Sequence, residues 1–229
     1  MLNREENDAT VGAGHNSAII MAEKFYPKYQ AKIKEVNQND MLSALNEIQR
    51  NESSYSYKPI REIIFGGGHH TTFINTCESI KRTFNSAHVT GGLNNYRHFI
   101  CSVTNRTVGI IILMLAKPNI SDSNIDQIAF ILTYPNGYGY GGLLVRHVVN
   151  ISLALGHQGI LRVYSELEAE IFYQKLGFVP IHSSDSNFFN LKHMELKPTN
   201  NNKWHNVNGE YKLTSRPHQS NSGWRCHLL

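Results

Sequence analysis

Hydrophobic and polar positions change period along this chain, and each change marks an element. Ile128 to Thr133 is a short apolar run closed by Tyr134-Pro135, which predicts a buried strand. From Leu143 to Leu155 the period becomes helical, with Leu144, Val148, Ile151 and Leu155 on one face and Gly156 as the stop. Gly159 to Tyr164 is apolar again and predicts a parallel partner strand. The unit is therefore strand, glycine-rich turn, helix, strand, within a stretch from Ile125 to Phe178 that organises the chain.

The flanks read less sharply. A helix is predicted from Ala18, capped by Ser17 and broken by Pro27, and a second from Tyr29 to Arg50 on Ile33, Val36, Met41, Leu42, Leu45 and Ile48. Asn51 to Lys58 is a linker by composition, and Pro59 to Phe65 reads as a strand. Gly66-Gly67-Gly68-His69-His70 follows, then a helix from Thr71 to Phe84 that aligns Phe73, Cys77, Ile80 and Phe84. Arg97–Val103 and Val108–Leu115 form a predicted hairpin about Asn105-Arg106-Thr107. A short strand near Val179–Ile181 and a last one over Phe189–Leu196 precede a polar break at Thr199–Lys203. Trp204, Tyr211 and Trp224 are the residues able to pin the tail. The predicted organisation is a flexible arm and helical extension over 1–55, a catalytic-sized domain over 56–198, and a polar tail over 199–229.

Composition narrows the class. At 229 residues the chain can bury a sizeable core, and 41% hydrophobic with 17% charged residues describes a globular protein. A net charge of +4 without a Lys/Arg run argues against nucleic acid as partner. Cys77, Cys101 and Cys226 lack metal-ligand spacing, and no histidine set supplies a third ligand, so no metal is expected. No apolar run approaches 18 residues and the first residues lack a secretory core, so no membrane association and a reducing cytoplasmic setting are expected.

The turn Asn136-Gly137-Tyr138-Gly139-Tyr140-Gly141-Gly142 carries the first chemistry. Its glycines remove side chains where the backbone enters a helix, and the free N–H groups there, with the helix dipole, make an anion site. A P-loop would need Gly-Lys-Ser/Thr, which is absent, and the spacing is not that of a dinucleotide fingerprint.

Ala169-Glu-Ile-Phe172-Tyr173-Gln-Lys-Leu-Gly177-Phe178 resembles the Ala-x-x-φ-Tyr-x-x-φ-Gly-Phe signature of the GNAT (Gcn5-related) N-acetyltransferases. Asn136-Gly-Tyr-Gly139-Tyr-Gly141 resembles that superfamily's Arg/Gln-x-x-Gly-x-Gly/Ala motif, with Asn at its first position. The resemblance runs from about Arg97 to Lys197. It implies an α/β (α+β) fold with a mixed, mostly antiparallel central sheet flanked by helices, whose first strand would be Pro59–Phe65. It also implies acetyl-CoA as cofactor and direct transfer of an acetyl group to an amine acceptor, a small molecule or a protein. The strand ending at Thr133 would splay from its neighbour, leaving N–H groups near Leu132 free. Ile131, Leu132, Thr133, the turn 136–142, Ala169 and Phe172 would contact the cofactor.

Tyr173 matches the position of the family's general acid. For the base, three candidates stand: Asp126 (with Gln127 as the competing alignment), Glu166 at the end of the partner strand, and the pair His69 and His70 lining the acceptor site. The N-terminal helices lie outside the family core and would pack on the domain or on a second copy as a homodimer. A non-catalytic acyl-CoA-binding module working through a protein partner is the rival reading, and Tyr173→Phe separates the two.

Overall fold

Asn37 starts the first helix: its side-chain oxygen accepts the Asp40 N–H at 2.9 Å and its carbonyl the Met41 N–H at 3.0 Å. The computed structural model describes residues 31–54, 68–90, 95–117, 124–135, 138–181 and 191–214, with the ends of the first two helices described by backbone alone. The elements are β1 (Lys32–Val36), α1 (Gln38–Ser54), α2 (Gly68–Thr90), β2 (Tyr96–Val103), β3 (Arg106–Met114), β4 (Asp126–Thr133), α3 (Tyr140–Ala154), β5 (Leu161–Ser165), a 3₁₀ turn (Leu167–Ala169), α4 (Glu170–Lys175), β6 (Val179–Pro180), β7 (Lys192–Leu196), β8 (Trp204–Val207) and β9 (Glu210–Leu213).

The first seven strands make one sheet in the order β1-β2-β3-β4-β5-β7-β6. Every pairing is antiparallel except β4 with β5. The mixed, mostly antiparallel sheet flanked by helices is therefore the observed fold. Its helices divide between the faces. Met41, Leu45 and Ile48 of α1 and Cys77, Ile80 and Phe84 of α2 pack with Ile100, Ile110, Ile112 and Leu132. On the other face Leu144, Val145, Val148 and Val149 of α3 pack with Phe99, Ile111, Leu113, Ile128 and Val163.

Two expectations are corrected here. Residues 32–36, read as part of a helix, form β1, which pairs along its whole length with Ser102 to His98 of β2. Arg97 fixes that pairing, donating from Nε to Glu35 at 2.7 Å, and this bond holds the Glu35 carboxyl below its ordinary range. The sheet unit thus begins well before residue 56, and α1 packs its apolar face on the sheet, the first of the two placements expected for it. The strand expected over Pro59–Phe65 lies outside the described residues. The tail is the second correction: β8 and β9 form a hairpin whose Trp204 and Tyr211 are buried in the α3-side core. The β2–β3 turn is Thr104-Asn105, both with positive φ (47° and 63°), one residue earlier than expected.

Cys77 and Cys101 are buried, one in each core, and burial pushes both thiols up to about 11. Neither is a nucleophile at neutral pH. Among the described residues no helix is long and apolar enough to cross a membrane.

Burial also holds the imidazoles of His98, His147 and His193 below their ordinary value of 6.5, and each has a ring nitrogen without a partner among the described residues. These rings are neutral in the fold and take up protons on unfolding, so stability is complete above pH 6.5 and falls as the pH drops below it. Urea denaturation should therefore give a lower midpoint at pH 5.5 than at 7.5 with an unchanged slope; equal midpoints would refute the assignment.

Candidate active site

β4 carries the first half of the site. Its register against β3 shifts between Ile112, opposite Phe130, and Leu113, opposite Ile128, so Ala129 is the extra residue of a bulge. Ala129 and Phe130 both pack toward the α1/α2 face, and alternation resumes with Ile131 toward α3 and Leu132 toward α2. Beyond the bulge β4 leaves its parallel partner. Only Asp126, Gln127 and Ile128 pair with β5, opposite Leu161, Arg162 and Val163, while both strands run on unpaired to Thr133 and Ser165. The Tyr134 N–H bonds the Val108 carbonyl at 2.9 Å, on the β3 side. Strand alternation then puts the Leu132 N–H on that side too and those of Ile131 and Thr133 at the open edge. The open-edge groups flank Leu132.

α3 begins at the mouth of this opening. Gly139 caps it with φ 81°, a conformation a side chain would strain, and supplies no side-chain acceptor, so the N–H groups of the first turn stay open. A Cβ on Gly141 would meet the Phe172 ring at 3.0 Å and Ile131 Cδ1 at 3.9 Å. The bare Gly141 therefore lets α4 sit against the start of α3 beside the splay. Gly142 has only an ordinary contact, Leu176 Cδ2 at 3.7 Å. Tyr138 stacks on Tyr140 with centroids 6.0 Å apart, and Tyr140 is buried. Asn136 and Gly137 lie outside the described residues.

Tyr173 follows Phe172 on α4. It is 4% exposed, held edge-on between Phe172 at 5.0 Å and Phe178 at 5.3 Å. Burial first, and then the Glu166 charge, push its phenol far above the usual range. Its hydroxyl makes no hydrogen bond among the described residues. Ala169, half-buried, ends the 3₁₀ turn that leads into α4.

The three base candidates part company. Glu166 directly follows β5 and is exposed; partial burial and then the Glu168 charge raise its carboxyl above the ordinary value. Asp126 sits at the other end of β4, about 23 Å from Thr133 at ~3.3 Å per residue. It is 0% exposed, accepts the Ala116 N–H at 2.8 Å and faces His157 Nδ1 at 2.9 Å. That carboxylate is fully engaged in joining the α3–β5 loop to the end of β3, and the structure removes it from the site. Gln127 leaves with it. His69 and His70 belong to the first turn of α2 instead of a loop before it. That turn lies at the site, since Thr72 Oγ1 donates to Glu168 at 3.1 Å and Phe73 meets Tyr134 edge-on at 6.3 Å. The splay, the start of α3, α4, Glu166 and the start of α2 thus converge, while Asp126 does not.

No protein-family model and no curated protein matches the chain. Solved structures do align with it. A protein assigned to the GNAT family of acetyltransferases, from Desulfovibrio desulfuricans, covers 73% of this chain and 98% of its own at 14% identity, with a TM-score of 0.49. The PaiA N-acetyltransferase of Thermoplasma acidophilum, in complex with coenzyme A, covers 73% and 98% at 15% identity and a TM-score of 0.46. A mutant spermidine N-acetyltransferase from Vibrio cholerae covers 74% and 94% at 16% identity and 0.47. These proteins align along nearly their whole length with about three quarters of this chain. Sequence reading missed one part of that site, the β8–β9 hairpin behind α4, although Asn208-Gly209 between two short apolar-polar runs is a strong hairpin signal.

Proposed function

We propose that this protein is an acetyl-CoA-dependent N-acetyltransferase that moves the acetyl group directly to an amine acceptor. The observation that carries the reading is the wedge between β4 and β5, open after three paired positions, with the uncapped start of α3 at its mouth and the Tyr173-bearing α4 packed against that start at Gly141. The residues fit the cofactor. Amides of the first turn of α3 suit a diphosphate, and the open-edge N–H groups of Ile131 and Thr133 suit the amide-bearing arm that follows it.

Bound acetyl-CoA supplies an acyl thioester, whose carbonyl carbon the acceptor nitrogen attacks and whose C–S bond then breaks. The nitrogen has to be neutral to attack and must shed a proton as it becomes an amide. Glu166, raised and at the rim, is the group placed to receive that proton, with His69 and His70 on the neighbouring turn as the second route. Tyr173 would hold the proton for the departing sulfur, and its raised pKa keeps it protonated at neutral pH. Neither Cys77 nor Cys101, each buried in a core, takes part.

Calorimetric titration with acetyl-CoA tests the reading, with Gly142→Asp as control. A side chain at 142 has room, and a carboxylate in the first turn favours the helix while occupying the diphosphate's place with like charge. Wild type should bind, and the variant should lose binding by about 100-fold or more while melting no lower. Equal binding by both would place the cofactor elsewhere; none by the wild type would sink the proposal.

A further inference from the structure

The carbonyls of Gln174 to Gly177 lie at and just past the end of α4, where a helix runs out of its own donors; Gln174 O is met from within by the Gly177 N–H at 3.0 Å. All four accept side-chain bonds from Asn201, Lys203 and Trp204, which lead into the C-terminal hairpin. Lys203 Nζ donates to Gln174 O at 2.7 Å and Lys175 O at 3.1 Å, Trp204 Nε1 to Leu176 O at 2.7 Å, and Asn201 Nδ2 to Gly177 O at 2.7 Å. The Lys203 ammonium also lies at the negative end of the helix. Gly177 makes the seat: with φ 93°, a Cβ there would fall 2.4 Å from Asn201 Nδ2. The hairpin is held from its other side by α3. Asn150 donates from Nδ2 to Tyr211 O at 3.0 Å and accepts the Tyr211 N–H at 2.7 Å.

We infer that residues 201–204 are positioning residues, and that the hairpin is a brace fixing the Tyr173-bearing helix α4 against the phosphate-facing helix α3. The inference rests on the proposed function only for its effect on turnover. A helix of six residues is too short to persist alone, so its place is set by what holds its ends. Its N-terminal side is held by Phe172 on Gly141, and its C-terminal side by the four bonds from the brace. Tyr173 lies in the last turn, next to the braced carbonyls.

The test uses the full chain with Lys203→Met and Trp204→Phe, which keep bulk but remove donors, and Lys203→Arg, which restores a cation. Amide exchange at Leu176, Gly177 and Phe178, whose N–H groups bond to carbonyls within α4, should be about tenfold faster in the first two and near wild type in the third. At temperatures where every variant is folded, kcat should fall about tenfold with KM for acetyl-CoA within about twofold, and Arg should restore it. Unchanged exchange overturns the brace whether or not the protein is an active transferase. Faster exchange with an unchanged kcat overturns the positioning role, leaving a contribution to stability alone. A wild type without transferase activity counts against the proposed function, and exchange then decides the brace by itself.

Discussion

Tyr173→Phe should lower kcat by about 10²–10⁴-fold, the usual worth of a placed general acid, while the Kd for acetyl-CoA stays within about twofold. The ring fills its place between Phe172 and Phe178 by shape, and phenylalanine keeps that shape. Only the proton is lost. Without it the sulfur must depart as a bare thiolate, and the barrier rises at the step that breaks the C–S bond. The pH profile carries a second check. Burial holds the phenol far above its ordinary value of 10, so the alkaline limb of kcat should not report Tyr173 below pH 10. The acid limb should report the raised Glu166 carboxyl and lie above pH 4.5, moving in Glu166→Gln. Unchanged turnover in Tyr173→Phe would favour a module that binds acyl-CoA without using it.

Asp126→Ala should destabilise the protein by about 1–3 kcal/mol, because it leaves the Ala116 N–H without its acceptor while the part-exposed His157 ring turns to water. The Ala116 N–H and the His157 ring would both lose their acceptor. Asp126→Asn, which keeps one oxygen for the amide, should cost less. Per folded molecule, turnover should be unaltered in either variant. A general base would give the reverse pattern, a stable protein with little activity. Chemical denaturation alongside activity normalised to folded protein separates the two, and a stable, inactive Asp126→Asn would restore Asp126 to the site.

That reversal shows what a sequence can carry. The strand, turn, helix and strand from Ile128 to Tyr164 were readable because each is long or strongly periodic and the turn has four glycines. The two motifs then pointed to Tyr173 and the start of α3, whose helices the fold packs together at Gly141. Asp126 was misread because its role depends on His157, 31 residues away, and on a loop that only the fold brings beside it. β1 was missed for another reason. Lys32-Ile33-Lys34-Glu35-Val36 spaces its two apolar residues by three, which suits a helix as well as a five-residue edge strand. Which N–H groups near Leu132 face the open edge was not legible, because no local pattern announces a bulge at Ala129.

The brace has a consequence for the order in which the molecule is made. Synthesis runs from the N-terminus, so α4 emerges from the ribosome about 30 residues before the donors that will hold its last turn. Until Lys203 and Trp204 appear, Tyr173 rides on less than two turns of helix with open carbonyls. β5 likewise waits for β7 to complete its antiparallel side. A nascent chain stalled between residues 178 and 200 holds both sequence motifs in full and still lacks the donors that seat α4. On the proposed function, a stop before residue 201 would remove turnover without touching a single residue of the cleft.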